Sequence, residues 1–217
     1  MNVELSGQAL PCVRIFCIGN NYREHVKEFA DNKPEPLFFM KPAASIVPPG
    51  ETLHSHVAGY DVHYEAEVTV LLGKEGRPQT VEEAVSFVAG LGIGLDLTLR
   101  DLQINRLRPE RLPWETAKAF EGSAPLSPFT PFDPKCDDLH NLPFQNRVDG
   151  VLCQDGNTQD MILSIPEMIL YLAKFWYLRP GDVIFTGTPK GVGTLVGKHL
   201  VELRNHRGTP YIWHINE

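Results

Sequence analysis

Asp61-Val62-His63-Tyr64-Glu65-Ala66-Glu67-Val68-Thr69-Val70-Leu71-Leu72 alternates with a period of two. Tyr64, Ala66, Val68, Val70 and Leu72 point one way; Asp61, His63, Glu65, Glu67 and Thr69 point the other. That period belongs to a strand and not to a helix. On its C-terminal side, Leu91-Gly92-Ile93-Gly94-Leu95-Asp96 is a glycine-rich apolar run that reads as another strand. On its N-terminal side, residues 13–18, stopped by Gly19-Asn20-Asn21, and residues 37–40, stopped by Lys41-Pro42, read the same way. Residues 144–152 are a further strand, and Arg179-Pro180-Gly181-Asp182 is a turn into a strand over 183–186. Residues 199–217 read as a hairpin with 205–208 at its tip.

Helix signals are fewer. Residues 21–29 read as a short helix, and Thr80-x-x-Glu83 is a capping box opening a helix to about residue 89. Thr98 is placed to cap another helix, and Ser164-x-x-Glu167 opens one to about residue 177. The helices do not alternate regularly with the more numerous strands. The pattern predicts an α+β, β-rich mixed fold and not a doubly wound parallel sheet.

The chain has 217 residues with no internal repeat or long polar linker, which reads as one domain over residues 1–217. Twenty Lys and Arg against 27 Asp and Glu leave a net charge of −7, a poor balance for a nucleic-acid or anionic-membrane binder. No apolar stretch approaches the roughly 20 residues needed to span a bilayer. Met1-Asn2-Val3-Glu4-Leu5-Ser6-Gly7 has no signal core, and Cys12, Cys17, Cys136 and Cys153 form no CxxC pair. The expectation is a reduced, cytoplasmic protein.

Several groups of residues can carry chemistry. Glu65 and Glu67 stand at i,i+2 on a strand, about 7 Å apart at Cα, within reach of one shared ion. A bare E-x-E is most often a solvated strand face; Asp96, at the end of an apolar strand where an acid is costly unless paired, argues for more. Arg100 and Gln103 are i,i+3 on the segment that follows, and Lys118 closes the segment Pro113-Trp114-Glu115-Thr116-Ala117-Lys118. His25 and Glu28 are also i,i+3, a spacing at which a carboxylate can orient an imidazole for general-base work. Thr186-Gly187-Thr188-Pro189-Lys190-Gly191-Val192-Gly193 follows a strand and offers backbone N–H groups to an anion, without the Walker A or dinucleotide spacing. Gly50-x3-His54-x-His56 lacks the nearby Glu of a cupin-like site, and no G-x-S-x-G elbow is present.

In order along the chain, these pieces resemble the fumarylacetoacetate hydrolase family, in its acylpyruvate hydrolase and oxaloacetate decarboxylase branch. The resemblance rests on Gly19-Asn20-Asn21-Tyr22 with His25, Phe39-Met40-Lys41-Pro42, His63-Tyr64-Glu65-Ala66-Glu67, Asp96-Leu97-Thr98-Leu99-Arg100-Asp101-Leu102-Gln103, Pro113-Trp114 with Ala117-Lys118, and residues 181–193. It implies a mixed β-sandwich roll with a few peripheral helices, usually a homodimer. It implies Glu65, Glu67 and Asp96 as ligands of Mg²⁺ or Mn²⁺, the hard cations that an all-oxygen set suits. It implies that Arg100, Gln103 and Thr188 bind a small anionic 2-keto acid, with Lys118, His25 and Glu28 catalytic. The expected reaction is cleavage of an acylpyruvate to pyruvate and a carboxylic acid, His25 activating a water. The alternatives are oxaloacetate decarboxylation or keto–enol tautomerisation, and isomerisation or decarboxylation of 2-hydroxyhepta-2,4-diene-1,7-dioate-type substrates. A domain that keeps the fold without catalysis is disfavoured by a full set of charges costly to bury. Asp149 and Ser127 stand where the family more often has Asn and Gly.

Overall fold

The computed structural model describes residues 1–22 and 37–217. The alternating stretch is two strands, Tyr60–Tyr64 and Ala66–Leu72, with Glu65 at the break. Ala66–Leu72 pairs antiparallel with Val88–Leu95 in a six-stranded sheet. Its order is Thr130–Pro131, Val88–Leu95, Ala66–Leu72, Asp182–Phe185, Arg14–Gly19, Leu37–Lys41. Asp182–Phe185 and Arg14–Gly19 run parallel, so the sheet is mixed. Tyr60–Tyr64 enters a different sheet, between Thr98–Leu99 and Gly193–Thr194. The paired strands therefore bend together at Glu65 and Asp96, joined there by Asp96 N–H donating to the Glu65 carbonyl at 2.8 Å.

The predicted alternation separates two cores. Ala66, Val68, Val70 and Leu72 face a large cluster that includes Phe144, Val201, Leu203 and Trp213 of a five-stranded sheet, and Met168, Ile169 and Leu172 of the Ile165–Phe175 helix. Leu71 faces a second cluster with Ile15, Cys17, Phe129, Val183 and Phe185. The polar side of the stretch is thus covered by protein, and Glu65, Glu67 and Thr69 are all buried. Gly94 shows how tightly it is covered: a Cβ there would lie 2.6 Å from the Pro125 carbonyl oxygen and 2.9 Å from the Phe185 ring.

One of the two expected capping boxes forms in full, and the other only in its Thr80 half. Thr80 accepts from Glu83 N–H at 3.2 Å, and Glu83 reaches back to the N–H of Gln79. Ser164 and Glu167 make the full reciprocal pair. The helices end at Phe87 and Phe175, slightly short of the sequence expectation, and Val88 goes directly into a strand. Two expectations are corrected. Thr98 caps no helix: it lies in the Thr98–Leu99 strand, with its hydroxyl donating to the Asp96 carbonyl. Residues 144–152 are not one strand but Pro143–Val148 turning into Val151–Asn157. Asp149 and Gly150, with φ of 48° and 79°, supply the left-handed pair that a tight hairpin turn requires. The expected helix over 21–29 falls almost entirely outside the described residues.

All four cysteines are unpaired. No described helix is long and apolar enough to cross a membrane.

Candidate active site

The bend between the two sheets gathers the acids. One carboxylate oxygen from each of Glu65, Glu67 and Asp96 lies within 4.8 Å of the others, all three residues buried. Glu65 comes from the strand break, Glu67 from the strand after it, and Asp96 from the end of the partner strand. Glu67 Oε2 accepts from Gly187 N–H at 2.8 Å. Gly187 has φ +96°, and a Cβ there would lie 2.8 Å from Asn21 Cβ, so glycine is required for this amide to reach the acid.

Cations surround the acids. Lys118, last residue of the Glu115–Lys118 helix, donates to Glu65 Oε2 at 2.8 Å, Asp96 Oδ2 at 2.7 Å and Thr98 Oγ1 at 2.6 Å. These partners come from the bend and not from its own helix, whose one acid, Glu115, is exposed. Lys41 Nζ lies 2.9 Å from Asp96 Oδ1 and donates to the carbonyls of Leu97 and Lys118. Arg100 Nη1 lies 3.2 Å from Glu65 Oε1. Three buried acids thus face three cations.

This packing sets the proton affinities. Burial, then the charges of Asp96 and Glu65, push the Glu67 carboxyl well above its usual range. For Asp96 burial acts in the same upward direction, but Lys118 and Lys41 outweigh it and hold the carboxyl below its ordinary value. Burial would lower the Lys118 ammonium, yet Asp96 and Glu65 raise it above its ordinary value. With its three N–H directions occupied, Lys118 is a fixed positive charge and not a base.

The donor set fits a hard divalent cation. All the donors are carboxylate oxygens, brought within reach of one ion by three buried residues. The adjoining cavity is lined by Glu65, Glu67, Arg100, Gln103, Lys118 and Thr188. Gln103 opens a π-helical turn, Gln103–Leu107, directly after the Arg100–Leu102 helix. The Thr188 hydroxyl is engaged inside the protein, donating to the Ala66 carbonyl at 2.9 Å and accepting from Gln154 at 2.8 Å. Its hydroxyl proton is therefore not directed at a ligand. His25 and Glu28 lie outside the described residues.

Four residues of this region carried no role in the sequence reading. Lys41 lay within the quoted Phe39-Met40-Lys41-Pro42, where a lysine closing an apolar strand was the available signal. Arg108 and Trp114 line the same cavity, the guanidinium 5.0 Å from the indole centroid. Gln154 gave no local signal. His54 and His56 are exposed, and His56 pairs with Asp61. Asp149 and Ser127 bind backbone: Asp149 accepts from His199 and Leu200 N–H, and Ser127 accepts from Ile93 N–H of the Val88–Leu95 strand.

Residues 14–211 match the family profile described as fumarylacetoacetate (FAA) hydrolase, C-terminal. A mitochondrial oxaloacetate tautomerase of Bos taurus is 42% identical over 180 residues, 82% of this chain and 80% of that protein. An oxaloacetate tautomerase of Escherichia coli strain K12 is 41% identical, over 85% of this chain and 84% of that one. Among solved structures, fumarylpyruvate hydrolase from Pseudomonas aeruginosa, in complex with Mn²⁺ and pyruvate, superposes with a TM-score of 0.89 at 35% identity, covering 99% of this chain and 95% of that one. With a profile match over most of its length and relatives this similar, the chain belongs to the fumarylacetoacetate hydrolase family.

Proposed function

We propose that the chain is a Mg²⁺- or Mn²⁺-dependent enzyme of small 2-keto dicarboxylic acids, and that its reaction is keto–enol interconversion of oxaloacetate. The observation that carries this reading is the convergence of Glu65, Glu67 and Asp96 beside the fixed charges of Lys118 and Arg100. The similarity to oxaloacetate tautomerases over about four-fifths of each chain supports oxaloacetate as substrate.

In this reading Glu65, Glu67 and Asp96 would hold the ion, and the chemistry it would supply is that of a Lewis acid toward a keto oxygen. Arg100 and Gln103 orient the keto acid from the cavity wall, and Thr188 braces Ala66, the residue between Glu65 and Glu67. Lys118 stabilises negative charge developing on the 2-oxygen without giving up its proton. Arg108, stacked on Trp114, adds a second guanidinium to the cavity, which suits a substrate with a second carboxylate. Tautomerisation moves one C3 proton to the 2-oxygen and leaves composition unchanged. His25, oriented by Glu28, is the proposed carrier of that proton, because imidazole exchanges protons near neutrality.

The second reading is acylpyruvate cleavage, supported by the likeness to the fumarylpyruvate hydrolase with Mn²⁺ and pyruvate. There His25 would take a proton from water, the hydroxide would add to the distal carbonyl, and the carbon–carbon bond would break to give a carboxylic acid and the enolate of pyruvate, to whose C3 the proton on His25 would return. Decarboxylation of oxaloacetate passes through the same enolate. A homodimer in a cytoplasmic setting completes the proposal, the four unpaired cysteines being consistent with a reducing compartment. Proton NMR of oxaloacetate, acetylpyruvate and fumarylpyruvate, with Mn²⁺ and with chelator, tests it. Chelator-sensitive acceleration of oxaloacetate enolisation is expected; no acceleration with Mn²⁺ overturns the assignment, and pyruvate release from an acylpyruvate selects the second reading.

A further inference from the structure

The Asp182–Phe185 strand covers the edge of Ala66–Leu72 only as far as Thr69, with Thr186 N–H adding a bond to the Val68 carbonyl at 3.2 Å. Beyond that point two side chains continue the ladder. Gln154, on the Val151–Asn157 strand and 1% exposed, accepts from Ala66 N–H through Oε1 at 3.0 Å. Thr188 Oγ1 donates to the Ala66 carbonyl at 2.9 Å, and Gln154 Nε2 donates to Thr188 Oγ1 at 2.8 Å. Gln154, Ala66 and Thr188 therefore form a closed hydrogen-bonded ring. The amide of Gln154 is completed by Asn146 Nδ2, which donates to Oε1 at 3.1 Å, and by the Pro189 carbonyl, which accepts from Nε2 at 3.1 Å. Two lone pairs and two N–H groups are all engaged, so the side chain has one orientation.

Ala66 is the residue between Glu65 and Glu67. We propose that Gln154 is a positioning residue for the metal-binding acids. By gripping both polar groups of Ala66, directly and through Thr188, it sets the directions in which Glu65 and Glu67 leave the backbone. The inference rests on the proposal that these acids hold a divalent cation. Gln154 touches neither ion nor substrate in this scheme. It acts as outer partners of metal ligands generally do, where their loss weakens metal binding about 10–100-fold.

The test is calorimetric titration with Mn²⁺ alone on the wild-type chain and on Gln154→Met, Thr188→Val and Thr188→Ser, each checked for folding by circular dichroism and thermal unfolding. Gln154→Met and Thr188→Val are expected to raise the Mn²⁺ dissociation constant about tenfold or more, while Thr188→Ser, which keeps the hydroxyl, stays within about twofold of wild type. An unchanged dissociation constant in folded Gln154→Met, even with a lowered Tm, assigns Gln154 a purely structural role and overturns the inference. Should Gln154→Met not fold, Thr188→Val decides in the same way against Thr188→Ser. Wild-type protein that binds no Mn²⁺ overturns the site reading and this inference together; wild-type binding matched by both disruptive variants overturns this inference alone.

Discussion

Lys118 Nζ lies 2.7 Å from Asp96 Oδ2, and the two side chains are 3% and 2% exposed. So dry a pair is costly to form and more costly to break, because removing one member leaves the other charged and unsolvated. The same lysine also neutralises Glu65. Without an ion, it is a principal reason that acids can be buried together at the bend.

Lys118→Met should therefore destabilise the metal-free protein by roughly 3–5 kcal/mol. Urea unfolding in chelator measures this, and added Mn²⁺ should restore part of the loss by supplying a different counter-charge. A loss below about 1 kcal/mol would mean that the pair behaves as an exposed one.

His25→Ala should lower turnover of oxaloacetate or an acylpyruvate about 100-fold or more, the usual scale for a general base. Calorimetry should show Mn²⁺ binding near the wild-type value. Unchanged turnover removes His25 from the proposed role, and loss of Mn²⁺ binding would place it in the metal site instead.

Arg108→Gln should separate substrates by their charge. If Arg108 receives a second carboxylate, kcat/KM for oxaloacetate should fall roughly 10–100-fold, the range for losing a hydrogen bond to a charged group. Acetylpyruvate, with one carboxylate, should change far less. An equal fall for both substrates assigns Arg108 to the keto acid end or to structure.

Acid lability should be traceable to Asp137, far along the chain from the site. Burial would raise this carboxyl, but Asp133 N–H and the Arg207 guanidinium, at 2.9 Å each, outweigh burial and hold it below its ordinary 3.8. Between that lowered value and 3.8 the unfolded chain binds more protons, so the stabilisation is present above the window and is lost as pH falls through it. Asp137→Asn should be less stable than wild type at neutral pH, with the difference shrinking in urea melts as pH falls below 3.8. A constant difference across that range contradicts the assignment.

The strands were readable in advance where local pattern and burial agree. The period of two over residues 61–72 marks the two faces that now meet separate cores, and Ser164 with Glu167 marks the helix start without ambiguity. Reading failed where long-range contacts decide. Thr98 has the chemistry of a helix cap, but Lys118 and the Asp96 carbonyl occupy its hydroxyl, and the strand opposite His63 claims its backbone. Residues 144–152 look apolar enough for one strand, yet Asp149 and Gly150 reverse the chain. Of the site, the acids, Arg100, Gln103 and Lys118 were visible as motifs. Gln154 was not, because a buried amide is defined by partners from three other segments and by nothing in its own neighbourhood.

Glu65 and Asp96 both occupy the interruption between strands of two different sheets, while Glu67 stands on one side of it. A cation shared by all three would be a rivet across that seam. Its occupancy would then report mechanically on both halves: hydrogen exchange should slow upon Mn²⁺ addition not only around the carboxylates but along Tyr60–Tyr64 and Ala66–Leu72 alike.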